Sequence, residues 1–296
     1  MPHAQATTDS NPKKSTDRHN GPGRKRAKKA KHRGPKSKDR HWLYQESVQS
    51  PNEHIEFFDK VYSLRHGRPA ASFKEDFCGT AFLSTAWVHE RPDNIAMGVD
   101  LDLDTLDWGR KHNVCTLTDE ERGRLTLLHE NVLDIIEPKA EIVAALNFSY
   151  FEFKTRDDLR EYFEKARQSL APGGLFILDM FGGWEAQMEE TDRTRDEGFT
   201  YVWEQTFYDP VNNRTQFRIH FKFHDGGGIP TAFEYNWRLW TLPEVREILE
   251  EAGYKRVDIY WEQIDDDTGE GSGEYKLVTK AESCPGWIAF IVASDE

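Results

Sequence analysis

The feature that most restricts the fold is a change of rhythm at Ser72. From there the chain alternates short apolar runs with stretches of helical periodicity, the pattern of parallel strands joined by crossover helices. Strands are predicted at residues 72–77, 95–99, 125–129, 142–146 and 175–179, with helices near 82–89, 103–112 and 156–169 between them. Ahead of this region, residues 41–49 and 52–65 read as helices separated at Ser50-Pro51. In the second of these, Ile55, Phe58, Val61, Tyr62 and Leu64 recur near the 3.6-residue period. The expected fold class is α/β, with a doubly wound, mostly parallel sheet.

After the fifth strand the rhythm changes again. Residues 200–208, 215–223 and 232–240 read as three antiparallel strands, joined by turns at Asp209-Pro210 and Asp225-Gly226-Gly227-Gly228. In the middle strand Phe217, Ile219, Phe221 and Phe223 alternate with Gln216, Arg218, His220 and Lys222, so one face is apolar and the other polar. A helix at 243–252 and strands at 256–261 and 287–293 close the chain, giving seven strands in the main sheet with an antiparallel last one. Between those two strands, Asp265-Asp266-Asp267 and the glycines around Gly271 read as a long, solvated acidic loop. Its ligand spacing is too irregular to imply a metal site.

The chemistry is concentrated at the carboxyl ends of the first strands. Glu75-Asp76-Phe77-Cys78-Gly79-Thr80-Ala81 joins a strand to a helix through a turn of small residues, which lets a ligand approach the backbone closely. In an open α/β sheet that ligand lies beyond the strand ends. Asp100 stands at the end of the second apolar run, where a carboxylate can accept both hydroxyls of a ribose. Leu170-Ala171-Pro172-Gly173-Gly174 precedes the fifth run.

In this order and spacing, these residues resemble the class I S-adenosylmethionine-dependent methyltransferases over roughly residues 70 to 180. The resemblance implies a Rossmann-like sheet, S-adenosyl-L-methionine as cofactor and transfer of its methyl group to an acceptor. It places Glu75, Phe77, Cys78, Gly79, Thr80 and Ala81 around the methionine end and Asp100 and Leu101 at the ribose. Asn131 and the Val132 backbone fall at the adenine, and Asn147 and Phe148 on the face where the methyl is passed. The chain departs from the family's glycine pattern in having Phe77 where the first glycine is expected and Ala81 where the third is. Asn147-Phe148-Ser149-Tyr150 also differs from the proline-containing turn of enzymes that methylate exocyclic amines of bases. Tyr150, His220 and Glu204 are the candidates for a general base.

The first 40 residues carry thirteen Lys or Arg and three Asp, a net +10 against −13 for the whole chain, which leaves −23 on the rest. They contain no Leu, Ile, Val, Phe, Trp or Tyr, so this stretch has nothing to bury and is expected to be a disordered basic tail ahead of a single domain at 41–296. Such a tail can hold a nucleic acid by releasing counterions, or simply aid solubility. Cys78, Cys115 and Cys284 have no paired spacing, so neither zinc nor a disulfide framework is expected. No apolar run approaches the length of a membrane span or a secretory segment, and a cytoplasmic site is expected, or a nuclear one in a eukaryote.

Three functions fit these observations. One is methyl transfer to a small molecule or protein; the second is methylation of tRNA or rRNA with help from the tail; the third is binding without catalysis. A nicotinamide-linked dehydrogenase fits poorly, because Gly79-Thr80-Ala81-Phe82-Leu83 lacks the G-x-G-x-x-G frame.

Overall fold

Two helices lead into the sheet: α1 (Arg40–Val48) and α2 (Pro51–His66). A computed structural model describes residues 37–265, 269 and 271–296, so most of the basic tail lies outside the described residues. Asp39 caps α1 by accepting from the His41 and Trp42 N–H groups, and Pro51 opens α2 where a missing N–H costs nothing. There follow β1 (Ser72–Asp76), α3 (Phe82–Glu90), β2 (Ile95–Asp100), α4 (Leu103–His112), the short α5 (Asp119–Arg122) and β3 (Leu125–His129). Then come β4 (Ala140–Ala145), α6 (Arg156–Gln168) and β5 (Leu170–Gly182). The insert is β6 (Glu190–Arg195), β7 (Phe199–Asp209), β8 (Arg214–Phe223) and β9 (Gly228–Arg238). The chain closes with α7 (Leu242–Glu251), β10 (Arg256–Ile264), β11 (Gly271–Val278) and β12 (Trp287–Ser294).

The main sheet has the order β11-β10-β12-β5-β4-β1-β2-β3. Strands β1 to β5 pair in parallel, and β12 enters antiparallel between β5 and β10. The order reverses between β1 and β4, and that switch point opens a crevice at the strand ends. β4 and β5 are buried along nearly their whole length, as strands covered on both faces must be. On β1 the pleat divides the two sides. Phe73 packs toward Phe58 of α2 and Trp87 of α3, whereas Lys74 and Asp76 form a buried ion pair whose carboxylate accepts from Tyr162 of α6.

Two expectations need correction. The sheet has eight strands rather than seven, because residues 271–278 pair with β10 instead of forming a solvated loop. That strand lies at the sheet edge and buries only Tyr275, so its apolar pattern was too thin to read. The insert likewise has four strands, since the polar Glu190–Arg195 run pairs with β7. Asp266 and Asp267 lie outside the described residues.

Candidate active site

The turn after β1 is held in place by backbone geometry. Phe77, Gly79 and Ala81 all take left-handed conformations, with φ of 57°, 54° and 53°. A side chain on Gly79 would point into open space, with nothing nearer than the Thr105 methyl at 3.9 Å, so the turn leaves a cradle at this point. The opposite condition holds at Gly109 of α4, where an added Cβ would lie 2.3 Å from the Thr80 carbonyl oxygen. That glycine lets α4 press against the back of the turn.

Asp100 ties the end of β2 to this turn. One carboxylate oxygen accepts from the Gly79 N–H at 2.7 Å and the other from the Asp102 N–H at 2.8 Å. Burial raises its pKa above the usual carboxylate range, opposed by those backbone donors. Beside it, Leu101 is exposed and its carbonyl meets His129 of β3 at 2.9 Å. The turn after β3 is fixed by Asn131, whose side-chain oxygen accepts from the Leu133 N–H at 3.1 Å, with Val132 buried behind it. The adenine and ribose candidates are therefore brought together along one edge of the crevice.

The two departures from the glycine pattern have a physical account. Phe77 pays the strain of a left-handed bulky residue, roughly 1–2 kcal/mol, while its ring packs edge-on to Tyr162 at 5.5 Å and to Phe153 at 6.2 Å. Ala81 stands at the N-cap of α3 and has no side chain to cap it. Glu75 supplies the missing acceptor from the strand below, taking both the N–H and the hydroxyl of Ser84. Glu75 is thereby committed to α3, and burial raises its pKa to about 8. Cys78 is buried against Ala81 and Leu106, and burial pushes its thiol pKa well up.

Across the crevice, Asn147 and Phe148 both take left-handed conformations, with φ of 55° and 60°. Their N–H groups donate to the two oxygens of Asp179, at 2.8 and 2.9 Å. Sequence reasoning missed Asp179, although it ends an apolar run much as Asp100 does. It also missed Gln45 of α1, which donates to the Thr80 hydroxyl at 2.6 Å and brings α1 over the glycine turn. No local signal marks a contact between residues so far apart in sequence.

The three base candidates are not brought together. Tyr150 is fully buried, its hydroxyl has no hydrogen-bond partner among the described residues, and burial with the charge of Asp179 pushes its pKa well up. His220 and Glu204 pair with each other at 2.9 Å, and the Thr231 N–H donates to the other ring nitrogen of His220. The polar face of the insert does not look toward the transfer turn. The aromatic face does so, with Trp237 at 6.3 Å from Phe148 and Phe217 at 5.8 Å from Phe181. His220, Glu204 and the Arg218–Glu234 pair alternate with those residues and lie on the other side.

Among the described residues no three His, Cys, Asp or Glu side chains gather as a metal would require, and no helix is long and apolar enough to cross a membrane.

Solved structures share this architecture. The chain overlays an S-adenosylmethionine-dependent methyltransferase from Clostridium acetobutylicum with a TM-score of 0.60 at 17% identity, covering 86% of this chain and 97% of that one. The sugar N-methyltransferase KedS8 from Streptoalloteichus aligns at 0.57 and 16% identity over 91% of this chain and 96% of its own. CalS10, an amino pentose methyltransferase from Micromonospora echinaspora solved with S-adenosylmethionine bound, aligns at 0.54 and 16% identity over 82% and 92%. No protein-family model matches the sequence, and no curated protein matches it. The likeness is one of fold: the chain has the fold of the class I S-adenosylmethionine-dependent methyltransferases.

Proposed function

We propose that this protein is an S-adenosylmethionine-dependent methyltransferase acting on a small molecule or a protein. The observation that carries the reading is the Asp100 carboxylate anchored to the Gly79 N–H beside an open cradle at the switch point of the sheet. A carboxylate offers about four acceptor positions, so Asp100 can hold the turn and still receive ribose hydroxyls. In this reading Leu101, Asn131 and Val132 flank the nucleoside. The turn from Phe77 to Ala81 bounds the methionine end, and Asn147 and Phe148 face the transferred group. Glu75 acts from beneath by holding the start of α3.

When bound, S-adenosylmethionine supplies a methyl group already activated on a sulfonium, so the protein's contribution is largely position and orientation. Asp179 holds the turn that faces that group, and Gln45 fixes the glycine turn opposite. Tyr150, His220 and Glu204 have no part in proton transfer in this reading. Tyr150 holds its proton too tightly at depth, and the other two lie behind the sheet.

The test is Asp100→Ala titrated with S-adenosylhomocysteine. Loss of two hydrogen bonds to a charged group, each worth about 1.5–3 kcal/mol, should cost at least tenfold in affinity in a folded variant. Unchanged affinity would overturn the ribose assignment.

A further inference from the structure

Helix α1 lies between the glycine turn and the insert and touches both. On one side Leu43 is buried against Ile219 and Phe221 of the insert. On the other, His41 stands 5.3 Å from Trp108 of α4, and Gln45 reaches the Thr80 hydroxyl with both side chains buried. His41, Gln45 and Gln49 follow at four-residue spacing, so they share the side of α1 that faces the glycine turn. A Cβ added at Gly79 would meet no atom of α1 within 4 Å. The helix therefore roofs the cradle without filling it.

The direction of α1 decides which end of a ligand each residue would meet. His41 lies by α4, on the β2 side where Asp100 and Leu101 stand. Beyond Gln49, α2 starts at Pro51, and His54 near its start meets Phe290 of β12 at 5.9 Å. Phe290 pairs with Asp179 of β5, the residue that holds the transfer turn. From His41 to Gln49 the helix thus runs along the crevice from the nucleoside edge toward the transfer edge. Gln49 comes at its end, over the part proposed for the methionine.

Gln49 carries an unspent group there. The residue is partly exposed, yet its Oε1 is sealed from solvent and has no hydrogen-bond partner among the described residues. A buried acceptor left unpaired costs free energy, and a ligand that supplies a donor recovers it. The methionine end of S-adenosylmethionine bears such a donor, an ammonium. The two carboxylates at the end of β1 are already engaged: Glu75 takes the N–H and hydroxyl of Ser84, and Asp76 pairs with Lys74 and Tyr162. We propose that Gln49 is a cofactor-binding residue whose amide oxygen accepts from this ammonium, with α1 held over the site by Gln45 and Leu43. The inference rests on the methyltransferase reading and deepens it.

The experiment titrates the full chain with two ligands in a calorimeter. S-adenosylhomocysteine keeps the ammonium, whereas 5′-methylthioadenosine has the same nucleoside and sulfur but no amino-acid end. Wild type is compared with Gln49→Leu, and a thermal melt is recorded for each chain without ligand. We expect Gln49→Leu to weaken S-adenosylhomocysteine by about tenfold or more and to leave 5′-methylthioadenosine within about twofold of wild type. The melting temperature without ligand should hold or rise, because leucine removes an unpaired buried acceptor. Retained 5′-methylthioadenosine binding shows that the variant is folded. Equal loss of both ligands, loss of neither, or a lower melting temperature without ligand would overturn the proposal. Failure of the wild-type chain to bind S-adenosylhomocysteine would instead sink the cofactor reading beneath it.

Discussion

The two walls of the crevice are built by different means. The wall proposed for the cofactor is made of backbone: three left-handed residues in a turn, fixed by the carboxylate of Asp100 and, across the gap, two more fixed by Asp179. The insert wall is made of side chains, an aromatic inner face and a charged outer one on the same strands. A backbone wall tolerates little, since a single Cβ or a lost carboxylate moves the whole turn. A side-chain wall can be trimmed piecemeal. Substitutions in the first should therefore give large, all-or-none losses of cofactor, and those in the second graded effects.

The sharpest break should come at Gly109. Gly109→Val would drive a side chain into the Thr80 carbonyl and displace the glycine turn. We expect S-adenosylhomocysteine affinity to fall by a hundredfold or more, about 3 kcal/mol, in a calorimetric titration. Normal affinity would show that α4 does not brace the turn.

Next in size is Asp179→Ala, which leaves the Asn147 and Phe148 N–H groups without their acceptor. An unsatisfied buried donor costs about 1–3 kcal/mol, so thermal stability should fall, and cofactor affinity with it. A loss of stability alone would confine Asp179 to a structural role.

Glu75 separates the walls by pH. Its folded pKa of about 8 lies above its ordinary value of 4.5. The folded protein therefore holds the proton more tightly than the unfolded chain. The stability this group contributes is full below about pH 4.5 and declines as pH rises through about 8. Glu75→Gln keeps an acceptor for Ser84 and cannot ionise, so denaturant unfolding between pH 5 and 8 should show a shallower decline than wild type. Equal slopes would place the titrating group elsewhere.

The smallest effect belongs to the outer face. His220→Ala breaks a partly buried pair on the outer face, worth about 1 kcal/mol or less, and should leave cofactor affinity untouched. A strong effect on methyl transfer would return His220 to the reaction. Deletion of residues 1–36 should likewise spare stability and cofactor affinity. A loss of RNA binding on deletion, with a full-length affinity that drops steeply as salt rises, would favour the RNA-modifying reading instead.

The same contrast explains what the sequence made legible. The strands β1 to β5 and the placement of Asp100 follow from apolar runs ending at charged or small residues, and these are local signals. The insert strands β7 to β9 were also readable, because Phe217, Ile219 and Phe221 alternate with polar neighbours. Which face of that sheet meets the crevice was not. Orientation depends on Trp237 reaching Phe148 and on α1 folding back onto Ile219, contacts between segments far apart in sequence. Phe77 looked like a defect in a glycine pattern. Its aromatic neighbours, Phe153 and Tyr162, come from a loop and a helix on the far side of β4 in the chain, so no local reading could supply them.

The central claim is that the crevice at the switch point takes S-adenosylmethionine. Calorimetry of the full chain against S-adenosylmethionine, S-adenosylhomocysteine and NAD tests it most directly. The structure leads us to expect one-to-one binding of the first two, abolished together by Gly79→Val, which fills the cradle, and no heat with NAD. Binding of NAD, or indifference to all three ligands, would contradict it.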